Sequence, residues 1–559
     1  MTHWIVTPVV LPAMLAAVLV LVTRYHPVLA RTFSLAGVVA LFAIALGLFW
    51  RASTGAVDIY QLGHWPAPFG IVLVADRLST LMVLLTATLA APVLLYAIGS
   101  GWDKRGRHFH ALYQFQLMGI MGAFLTGDLF NLFVFFEVLL IASYGLMIHS
   151  GGAVRLRAGV QYVLYNLLGS TLFLFALGTI YAQTGTLNMA DLAVRVQALS
   201  ADDTGGLRTA AVLLLLVFSI KAALLPLHFW LPASYAEAPA PVAALFAIMT
   251  KVGAYGIIRV YTLIFPPSLA ATQGLMDTYL LPAALLTLAM GMVGTLGAAR
   301  VDRMVAFATI GSVGMLLTAV AVFTPDGIAA ALYYTVHSVF ATAALFLLVD
   351  VLRDRRAEAG AHLKDNAPID GGPLIAGLFF AAAIAMTGLP PLSGFVGKLM
   401  VMQSALGHPL EWWVWGVVLT GSLIAVVGFA RAGSHVFWKS HQVAAERAAE
   451  DEDDPAPPES EANEANRPED CPPPATTPVV AIGTLVALSV ALTVFAGPTY
   501  RTMQATAAQL FAPAPYIDVV LTTPGKKIKD KGDDHYTEDN TAPQDEATSL
   551  GETAAEEDH

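Results

Sequence analysis

Five ionisable residues lie within apolar stretches of this chain, where a charge is costly. They are one glutamate, three lysines and one histidine: Glu137, Lys221, Lys251, Lys398 and His337. An ammonium group at the centre of a bilayer costs about 2.5–3.5 kcal/mol on insertion scales. Ionisable side chains at this depth commonly mark the route of a transported ion. They therefore predict an ion pathway, and protons are the ions that we expect to use it.

The strongest candidate pair is Glu137 with Lys221. Glu137 lies in the run TGDLFNLFVFFEVLL, nine residues after Asp128, and hence near the middle of the membrane. A carboxyl and an amine that lie close together adjust each other's proton affinity. We therefore expect Glu137 to set the charge of Lys221. The alternative is a buried pair that only ties helices together, but such pairs contribute little stability.

The other three residues extend the predicted pathway. Lys251 lies too centrally in its apolar run for its amine to reach the membrane surface easily. Lys398 follows the helix-breaking sequence GLPPLSG and fits a terminal proton site, although a lysine that extends to the surface is the alternative. His337 could bridge the two halves of the chain, because imidazole titrates near neutral pH. A histidine on an apolar face is, however, more often a satisfied core residue.

Other polar residues have simpler interpretations. Asp76 and the arginine after it open an apolar run and are interpreted as interfacial. Asp128 is interpreted as a helix-start charge, which the helix dipole favours. His228 and Glu237 lie in a connecting turn, where a structural role and a place at the mouth of the pathway are equally compatible with the sequence.

Composition predicts an all-α polytopic membrane protein. The 559 residues are 56% hydrophobic and only 13% charged, and the mean hydropathy is +0.65. Such values are not typical of soluble domains. About 14 apolar runs are long enough to cross a bilayer. The predicted spans are 5–23, 31–50, 72–99, 110–126, 129–149, 160–183, 209–228, 239–263, 278–298, 303–323, 328–350, 373–405, 412–437 and 476–497. The first run lacks a small-residue cleavage signature, so we interpret it as a retained helix.

Loop charges predict the orientation. The loops after odd-numbered spans hold most of the basic residues: Arg24, Arg31, Lys104, Arg105, Arg107, Arg155, Arg157, Arg300, Arg303, Arg353, Arg355, Arg356 and Lys364. The loops after even-numbered spans hold few: Arg51, Arg195, Arg208 and Arg259. Because basic loops stay in the cytoplasm, we expect a multi-pass protein of the bacterial plasma membrane with its N-terminus outside.

Helix breakers in spans 7 and 12 suggest an internal duplication. Pro226 follows Lys221, and Gly388, Pro390 and Pro391 precede Lys398. Proline removes a helix hydrogen bond, and freed backbone groups are tolerated in a membrane only inside protein or beside water. Two breaks five spans apart predict two inverted five-helix repeats, spans 4–8 and spans 9–13.

The predicted domain boundaries follow from the spans and from two polar segments. An N-terminal three-helix segment (1–109) precedes the first repeat (110–263) and the second repeat (278–437). An acidic, proline-rich cytoplasmic linker (438–475), the last transmembrane helix (476–497) and a polar tail (498–559) complete the chain. We expect the linker and tail to be solvated.

The sequence offers no signature of cofactor, metal or nucleic-acid chemistry. A phosphate-binding loop, a dinucleotide turn, a zinc-spaced set and a nucleophile elbow are all missing. The single cysteine, Cys471, cannot form an intrachain disulfide or a cysteine-built metal site. Energy must therefore come from an ion gradient or from a partner subunit, which predicts a transporter subunit rather than an enzyme.

Four stretches of this chain resemble the antiporter-like subunits shared by respiratory complex I, membrane hydrogenases and Mrp-type multisubunit Na⁺/H⁺ antiporters. They are TGDLFNLFVFFEVLL, KAALLPLHFWLPASYAEAPAPVAALFAIMTKVG, ATIGSVGMLL and GLPPLSGFVGK, and the resemblance covers roughly residues 70–440. The sequence DLFNLFVFFEV is most similar to the corresponding motif of the D subunits of Mrp antiporters.

The resemblance implies a fourteen-helix core with two inverted repeats and a proton route through Glu137, Lys221, Lys251 and Lys398. Many relatives carry a lysine about one turn after the span 11 histidine, and Thr342 stands near that place here. The implied function is the proton-translocating subunit of an antiporter that exchanges Na⁺, or else Li⁺ or K⁺, for H⁺ beside other membrane subunits. The alternatives are a proton-pumping subunit of a complex I-like enzyme or hydrogenase, and a structural scaffold of such a complex.

Overall fold

A computed structural model describes residues 3–23, 25–199, 204–356, 359–364, 369, 371–439 and 475–525. Most of the predicted linker (438–475), including Cys471, and the end of the predicted tail lie outside these residues. The described part is almost entirely helical, in agreement with the predicted class. Its helices are α1 (His3–Leu21), α2 (Pro27–Ala52), α3 (Arg77–Gly99), α4 (Phe109–Leu125), α5 (Leu129–Met147), α6 (Ala153–Thr184), α7 (Met189–Ala198), α8 (Thr204–Ala222), α9 (Trp230–Glu237), α10 (Ala240–Phe246), α11 (Met249–Leu263), α12 (Leu281–Gly297), α13 (Val301–Val322), α14 (Pro325–Arg355), α15 (Gly372–Thr387), α16 (Ser393–Ser404), α17 (Glu411–Gly433), α18 (Thr476–Val494), α19 (Ala496–Leu510) and α20 (Ala514–Thr522).

Twelve helical stretches in the described residues are long and apolar enough to cross a membrane. They correspond to twelve of the fourteen predicted spans. The other two predicted spans are helical but shorter. Span 4 is the 17-residue helix α4, and span 12 is divided between α15 and α16. The chain is thus a multi-pass membrane protein with about twelve candidate spans, while the count of fourteen and the inverted duplication stay predictions.

Helix α14 forms the centre of the second half of the molecule. It contacts α10, α13, α15, α16, α18 and α19, and 94% of its most apolar window is buried. The stretch Ala240–Leu263, which holds α10 and α11, is buried completely, whereas α1 and α2 are only one-third buried. Lys251 lies on α11 and His337 on α14, so two of the three most enclosed stretches carry predicted pathway residues.

Both predicted helix breaks are present. Helix α8 ends at Ala222, just before Ala223 takes a left-handed φ of 58°, and the chain becomes helical again at Trp230. Helix α15 ends before Gly388, whose φ of 73° favours a residue without a side chain. A third interruption separates α10 from α11 between Phe246 and Met249. No proline lies between those two residues, so hydropathy and breaker residues do not predict it.

Several segments differ from the predictions. Residues Val72–Ala75 form a β-strand, β2, that pairs antiparallel with β1 (Asp58–Gln61), so span 3 begins as a helix only at Arg77. The amphipathic helix α7 connects spans 6 and 7 and was not predicted. Helices α19 and α20 occupy the start of the predicted polar tail, and α19 contacts α14 and α3.

The sequence did not predict a buried partner for Asp76. The Asp76 carboxylate is buried and accepts two hydrogen bonds from the Arg259 guanidinium, at 2.6 and 2.8 Å. It also caps α3 by accepting from the Ser79 backbone N–H. Burial alone would raise the pKa of Asp76, but the charge and hydrogen bonds of Arg259 outweigh burial and lower it. This ion pair joins the start of α3 to the end of α11.

Candidate functional site

Helix α6 joins Glu137 to Lys221. The Ser170 hydroxyl donates a hydrogen bond to Oε1 of Glu137, and Nζ of Lys221 donates to Oδ1 of Asn166 at 3.2 Å. Asn166 and Ser170 are one helical turn apart, so they lie on the same face of α6. The carboxyl on α5 and the amine on α8 are therefore held side by side by a third helix.

The two groups do not form a direct ion pair. No Glu137–Lys221 contact falls within the 4.0 Å limit for an ion pair, although the Glu137 charge acts on Lys221 electrostatically. The predicted partnership is thus present but indirect. A separated pair of this kind can approach or part, which a closed ion pair cannot do without breaking strong hydrogen bonds.

Lys221 borders a small cavity that is accessible to about one water molecule. The cavity has a volume of about 10 Å³, near the lower limit for holding one water. Its polar lining comes from Asn166, Lys221, Tyr162 and Trp230. The ring of Phe136 closes another side, with its centroid 5.9 Å from Nζ of Lys221. Lys221 therefore has both a fixed hydrogen-bond acceptor and room for an exchangeable one.

Lys251 is the most isolated of the three lysines. It is 1% exposed, and its Nζ has no hydrogen-bond partner among the described residues. Its helix packs directly on the helix of Lys221, because Gly253 faces the backbone there: a Cβ at Gly253 would lie 2.7 Å from the Ala222 nitrogen. An amine without a partner at this depth needs water or a moving neighbour to carry its charge.

His337 is completely buried on α14. Its Nδ1 is 2.9 Å from the Ser393 hydroxyl, while its Nε2 has no partner in the described part of the chain. Lys251 and Lys398 are both close enough to act on the ring electrostatically. The ring also contacts Gly394, where a Cβ would come within 3.0 Å of Nε2. Whether His337 bridges Lys251 and Lys398 stays a prediction.

Lys398 is held by the break in its own span. Its Nζ donates to the backbone carbonyl of Thr387 at 2.6 Å and to the Ser422 hydroxyl at 2.8 Å. Thr387 is the last residue of α15, where carbonyls have no intrahelical donor and the helix dipole favours a cation. The aliphatic chain of Lys398 packs on Gly388, where a Cβ would lie 2.6 Å from Cδ. The amine therefore points inward, away from the surface position that was the alternative.

A network of ion pairs lies at the arginine-rich face, which is the face formed by the basic loops after the odd-numbered spans. Asp302, at the start of α13, pairs with Arg300 at 2.5 Å and with Arg353 at 2.6 Å. Arg300 also pairs with Glu237 at 2.9 Å, so the turn after the broken span 7 is tied to the second half of the chain. His228, the other residue of that turn, is buried. Glu237 has a clear structural role here.

A second charged cluster at this face surrounds Asp103. The carboxylate bonds to the Arg31 guanidinium at 2.6 and 2.8 Å, and the His110 ring lies at 3.3 Å. Burial would raise the pKa of Asp103, but the hydrogen bonds and charges of His110 and Arg31 lower it to about 2. This carboxylate stays ionised and ties α2 to the loop before α4.

The sequence analysis did not predict the residues that bond to the predicted pathway residues. Asn166 and Ser170 could have been found, because they are two polar residues at i and i+4 in an apolar helix. Ser393 and Ser422 left no comparable pattern. Asp128 has its predicted place at the start of α5, where it accepts from the Asn131 backbone N–H at 2.7 Å. Thr342 is buried, and its hydroxyl has no partner within the described residues.

Known proteins share this arrangement of helices and this sequence pattern. Residues 126–425 match the family model described as "NADH:quinone oxidoreductase/Mrp antiporter, TM". The chain is 36% identical over 556 residues to the probable D subunit of a K(+)/H(+) antiporter from Rhizobium meliloti (strain 1021), and the match covers 93% of this chain and 98% of that relative. It is 40% identical over 440 residues to the D subunit of a Na(+)/H(+) antiporter from Bacillus subtilis (strain 168), with 78% and 87% covered.

Solved structures of other proteins have the same fold. A chain of the Mrp complex from Dietzia sp. DQ12-45-1b superposes with a TM-score of 0.80 at 28% identity, covering 93% of this chain and 100% of that one. A chain of respiratory complex I from Thermus thermophilus gives a TM-score of 0.73 at 24% identity and shares the fold. The fold and the buried ionisable residues thus define an antiporter-like membrane subunit. The chain belongs to the NADH:quinone oxidoreductase/Mrp antiporter family and, within it, to the D subunits of Mrp-type antiporters.

Proposed function

We propose that this chain is the proton-translocating subunit of a multisubunit antiporter that exchanges H⁺ for a monovalent cation across the bacterial plasma membrane. Its partners are the other membrane subunits of that complex, and its N-terminus faces outside. Relatives are named for Na⁺ and for K⁺, so both cations are candidates. Na⁺ is the one that the sequence resemblance favoured.

The observation that carries the proposal is the indirect link between Glu137 and Lys221. Ser170 holds the carboxylate and Asn166 holds the amine on one face of α6. If the Glu137 carboxylate moves closer, the protonated Lys221 is stabilised; if it moves away or is neutralised, the lysine gives up its proton. The water-sized cavity beside Lys221 gives that proton a place to go.

The remaining buried groups continue the route. Lys251 lies on the helix that packs against Lys221, and it has no fixed acceptor among the described residues that would hold its proton. The free Nε2 of His337 faces the second half of the chain and feels both Lys251 and Lys398. Lys398 then holds the proton between a carbonyl and a hydroxyl. Each of these groups can bind a proton on a nitrogen lone pair and release it again.

The test uses the whole complex, expressed from its operon in inside-out membrane vesicles of a host that lacks other Na⁺/H⁺ and K⁺/H⁺ antiporters. Addition of Na⁺ or K⁺ should dissipate a preformed ΔpH, and no redox substrate should be needed for the exchange. Glu137→Gln keeps the shape and the bond from Ser170 but cannot carry a charge. We expect exchange to fall at least about 100-fold, the range of general acid–base effects, with normal assembly.

The matched control is Glu411→Gln, at the start of α17, where the carboxylate accepts from the Gly407 backbone N–H and lies outside the proposed route. It should exchange at the normal rate. Lys221→Arg gives a second test, because arginine keeps its proton at all relevant pH values. An assembled Glu137→Gln complex with full exchange would exclude the role proposed for Glu137, and full exchange by Lys221→Arg would exclude proton release from Lys221.

A further inference from the structure

A second small cavity lies under the arginine-rich face, beside two buried carboxylates. Its volume is also about 10 Å³, and Asp302, Asp350, Arg353 and Tyr235 supply its polar lining. Asp350 is on the last turns of α14 and is 3% exposed. Neither carboxylate has a role in the proton route proposed above.

The two carboxylates are held in opposite ways. Asp302 is bonded by two guanidinium groups, from Arg300 and Arg353, which fix its charge. Asp350 is bonded only by neutral donors: the Trp102 indole N–H at 2.7 Å and the Tyr96 hydroxyl at 2.9 Å. No cation lies within 4.0 Å of it among the described residues.

The hydrogen bonds of Asp350 also leave one oxygen free. Both donors reach Oδ2, and no described residue bonds to Oδ1. Since the carboxylate borders the cavity, a water in it can reach this oxygen. The charged groups that act on Asp350 are Arg353 and Asp354 on its own helix, Arg155 on α6, and Asp302 across the cavity. They include both signs, so the local charges alone do not lock Asp350 into one protonation state.

An aromatic contact links the lining of this cavity to that of the Lys221 cavity. Trp230 lines the Lys221 cavity and Tyr235 lines the Asp350 cavity. Both lie on α9, the short helix after the break in span 7, and their rings meet edge to face with centroids 5.9 Å apart. Two side chains in contact with each other thus each line one of the two cavities.

We propose that Asp350 exchanges protons between the Lys221 site and water at the arginine-rich face, an inference that rests on the function proposed above. When the Trp230–Tyr235 contact opens, water joins the two cavities. Protonated Lys221 then gives H⁺ to that water, and the water gives H⁺ to the Asp350 carboxylate. This leaves a neutral amine and a neutral carboxyl, and Asp350 afterwards releases the same proton to water outside. Transport in the other direction reverses these steps.

The test is Asp350→Asn in the whole complex in vesicles. Asparagine keeps an oxygen that can accept from Trp102 and Tyr96, so a role in tying α14 to α3 would survive, but it cannot take up a proton. We expect exchange to fall at least about tenfold, with unchanged assembly and an unchanged half-saturating cation concentration. The matched control is Asp326→Asn, which removes the same charge from the exposed start of the same helix, far from Asp350 in the chain. It should exchange normally.

A spectroscopic readout separates proton exchange from packing. In infrared difference spectra after a pH jump, the carbonyl band of a protonated carboxyl group should be lost in Asp350→Asn and kept in Asp326→Asn. If Asp350→Asn does not assemble, Asp350→Glu decides: its carboxyl still titrates from a shifted position, so its pH–rate profile should differ from that of the parent. Full exchange by Asp350→Asn, or an unchanged profile in Asp350→Glu, overturns the inference.

Glu137→Gln, measured in parallel, keeps the two proposals apart. If Glu137→Gln abolishes exchange while Asp350→Asn exchanges fully, the pathway stands and only the role of Asp350 fails. If Glu137→Gln exchanges fully, the proposed function is wrong, and the inference about Asp350 fails because it rests on that function.

Discussion

The two broken spans each stabilise a buried lysine amine, but they do so with different partners. In span 7, Lys221 comes before the break, and its fixed partner is the Asn166 side chain on another helix. In span 12, Lys398 comes after the break, and its partners include the Thr387 carbonyl that the break itself sets free. The first lysine shares its supporting helix with a carboxylate, Glu137. The second has no acidic group within 4.0 Å in the described part of the chain.

Under the proposed function, this difference gives the two lysines different tasks. The proton on Lys221 can be gained or lost when one neighbouring charge moves, because Glu137 is near without being in contact. The proton on Lys398 is held by neutral dipoles, whose strength changes only if the broken helix itself moves. We infer that Lys221 is the switch of the pathway and that Lys398 is a resting place whose occupancy follows the geometry of span 12.

The largest expected effect comes from filling the glycine that packs the second break. A Cβ at Gly394 would lie 1.9 Å from the Ala385 carbonyl and 3.0 Å from the His337 ring, whereas one at Gly253, beside the first break, would meet backbone at 2.7 Å. Overpacking of this kind costs about 1–3 kcal/mol or more. Gly394→Ala should therefore lower the melting temperature of the purified complex more than Gly253→Ala does.

Gly377→Ala is the matched control, because a Cβ there meets nothing within 4 Å, and alanine is the better helix former. Its melting temperature should equal or slightly exceed that of the parent. A Gly394→Ala complex that melts with the parent would show that the second break is loosely packed, and the contrast between the two lysines would lose its structural basis.

A smaller effect comes from removing one hydroxyl from each lysine site. Ser170→Ala removes the hydrogen bond that positions Glu137, and bonds to charged groups contribute about 1.5–3 kcal/mol. We expect exchange in vesicles to slow about tenfold. Ser422→Ala should slow it less, about twofold to threefold, because Lys398 keeps the Thr387 carbonyl.

Thr171→Ala controls for the loss of a hydroxyl on α6, since the exposed Thr171 side chain bonds only to the carbonyl of its own helix at Leu167. It should leave the rate unchanged. Equal slowing by Ser170→Ala and Ser422→Ala would contradict the idea that only the first site depends on a positioned carboxylate.

The helices and their breaks were largely predictable from the sequence, since apolar length and proline act locally. All five predicted pathway residues lie on helices, and the three lysines and His337 are buried. The interruption between α10 and α11 was not predictable in this way, because it lies in a run of small and apolar residues. Strand β2 was missed for a related reason: four apolar residues continue into an apolar helix without a change in hydropathy.

The contacts between the spans were much harder to predict. A helix that is apolar on every side gives no signal about which face meets which neighbour, so neither the Ser170–Glu137 bond nor the Asp76–Arg259 ion pair could be read from spacing. Asp76 lies 183 residues before Arg259, and hydropathy treats each as an isolated charge near a span end. The buried pairing arises only when α3 and α11 are brought together.

The smallest expected effect concerns Asp128, the residue that starts the helix of Glu137. Burial raises the pKa of Asp128 to about 6, although the backbone N–H groups of Asn131 and Phe130 partly oppose this. The folded state then holds a proton that the unfolded state releases near the ordinary aspartate pKa of 3.8. Folding stability should therefore fall as pH rises through this interval, and the whole deficit should be present above about pH 6.

Asp128→Asn removes this deficit and keeps the cap, because asparagine accepts equally well at a helix start. Its melting temperature should exceed that of the parent by about 2–4 °C at pH 8, the shift that about 1 kcal/mol produces in a large domain. The difference should vanish near pH 4. Asp326→Asn, at the exposed start of α14, should show no such rise. A constant difference at both pH values would mean that Asp128 is not the titrating group. The buried Asp128 at the start of α5 and the exposed Asp326 at the start of α14 would then not differ in this respect.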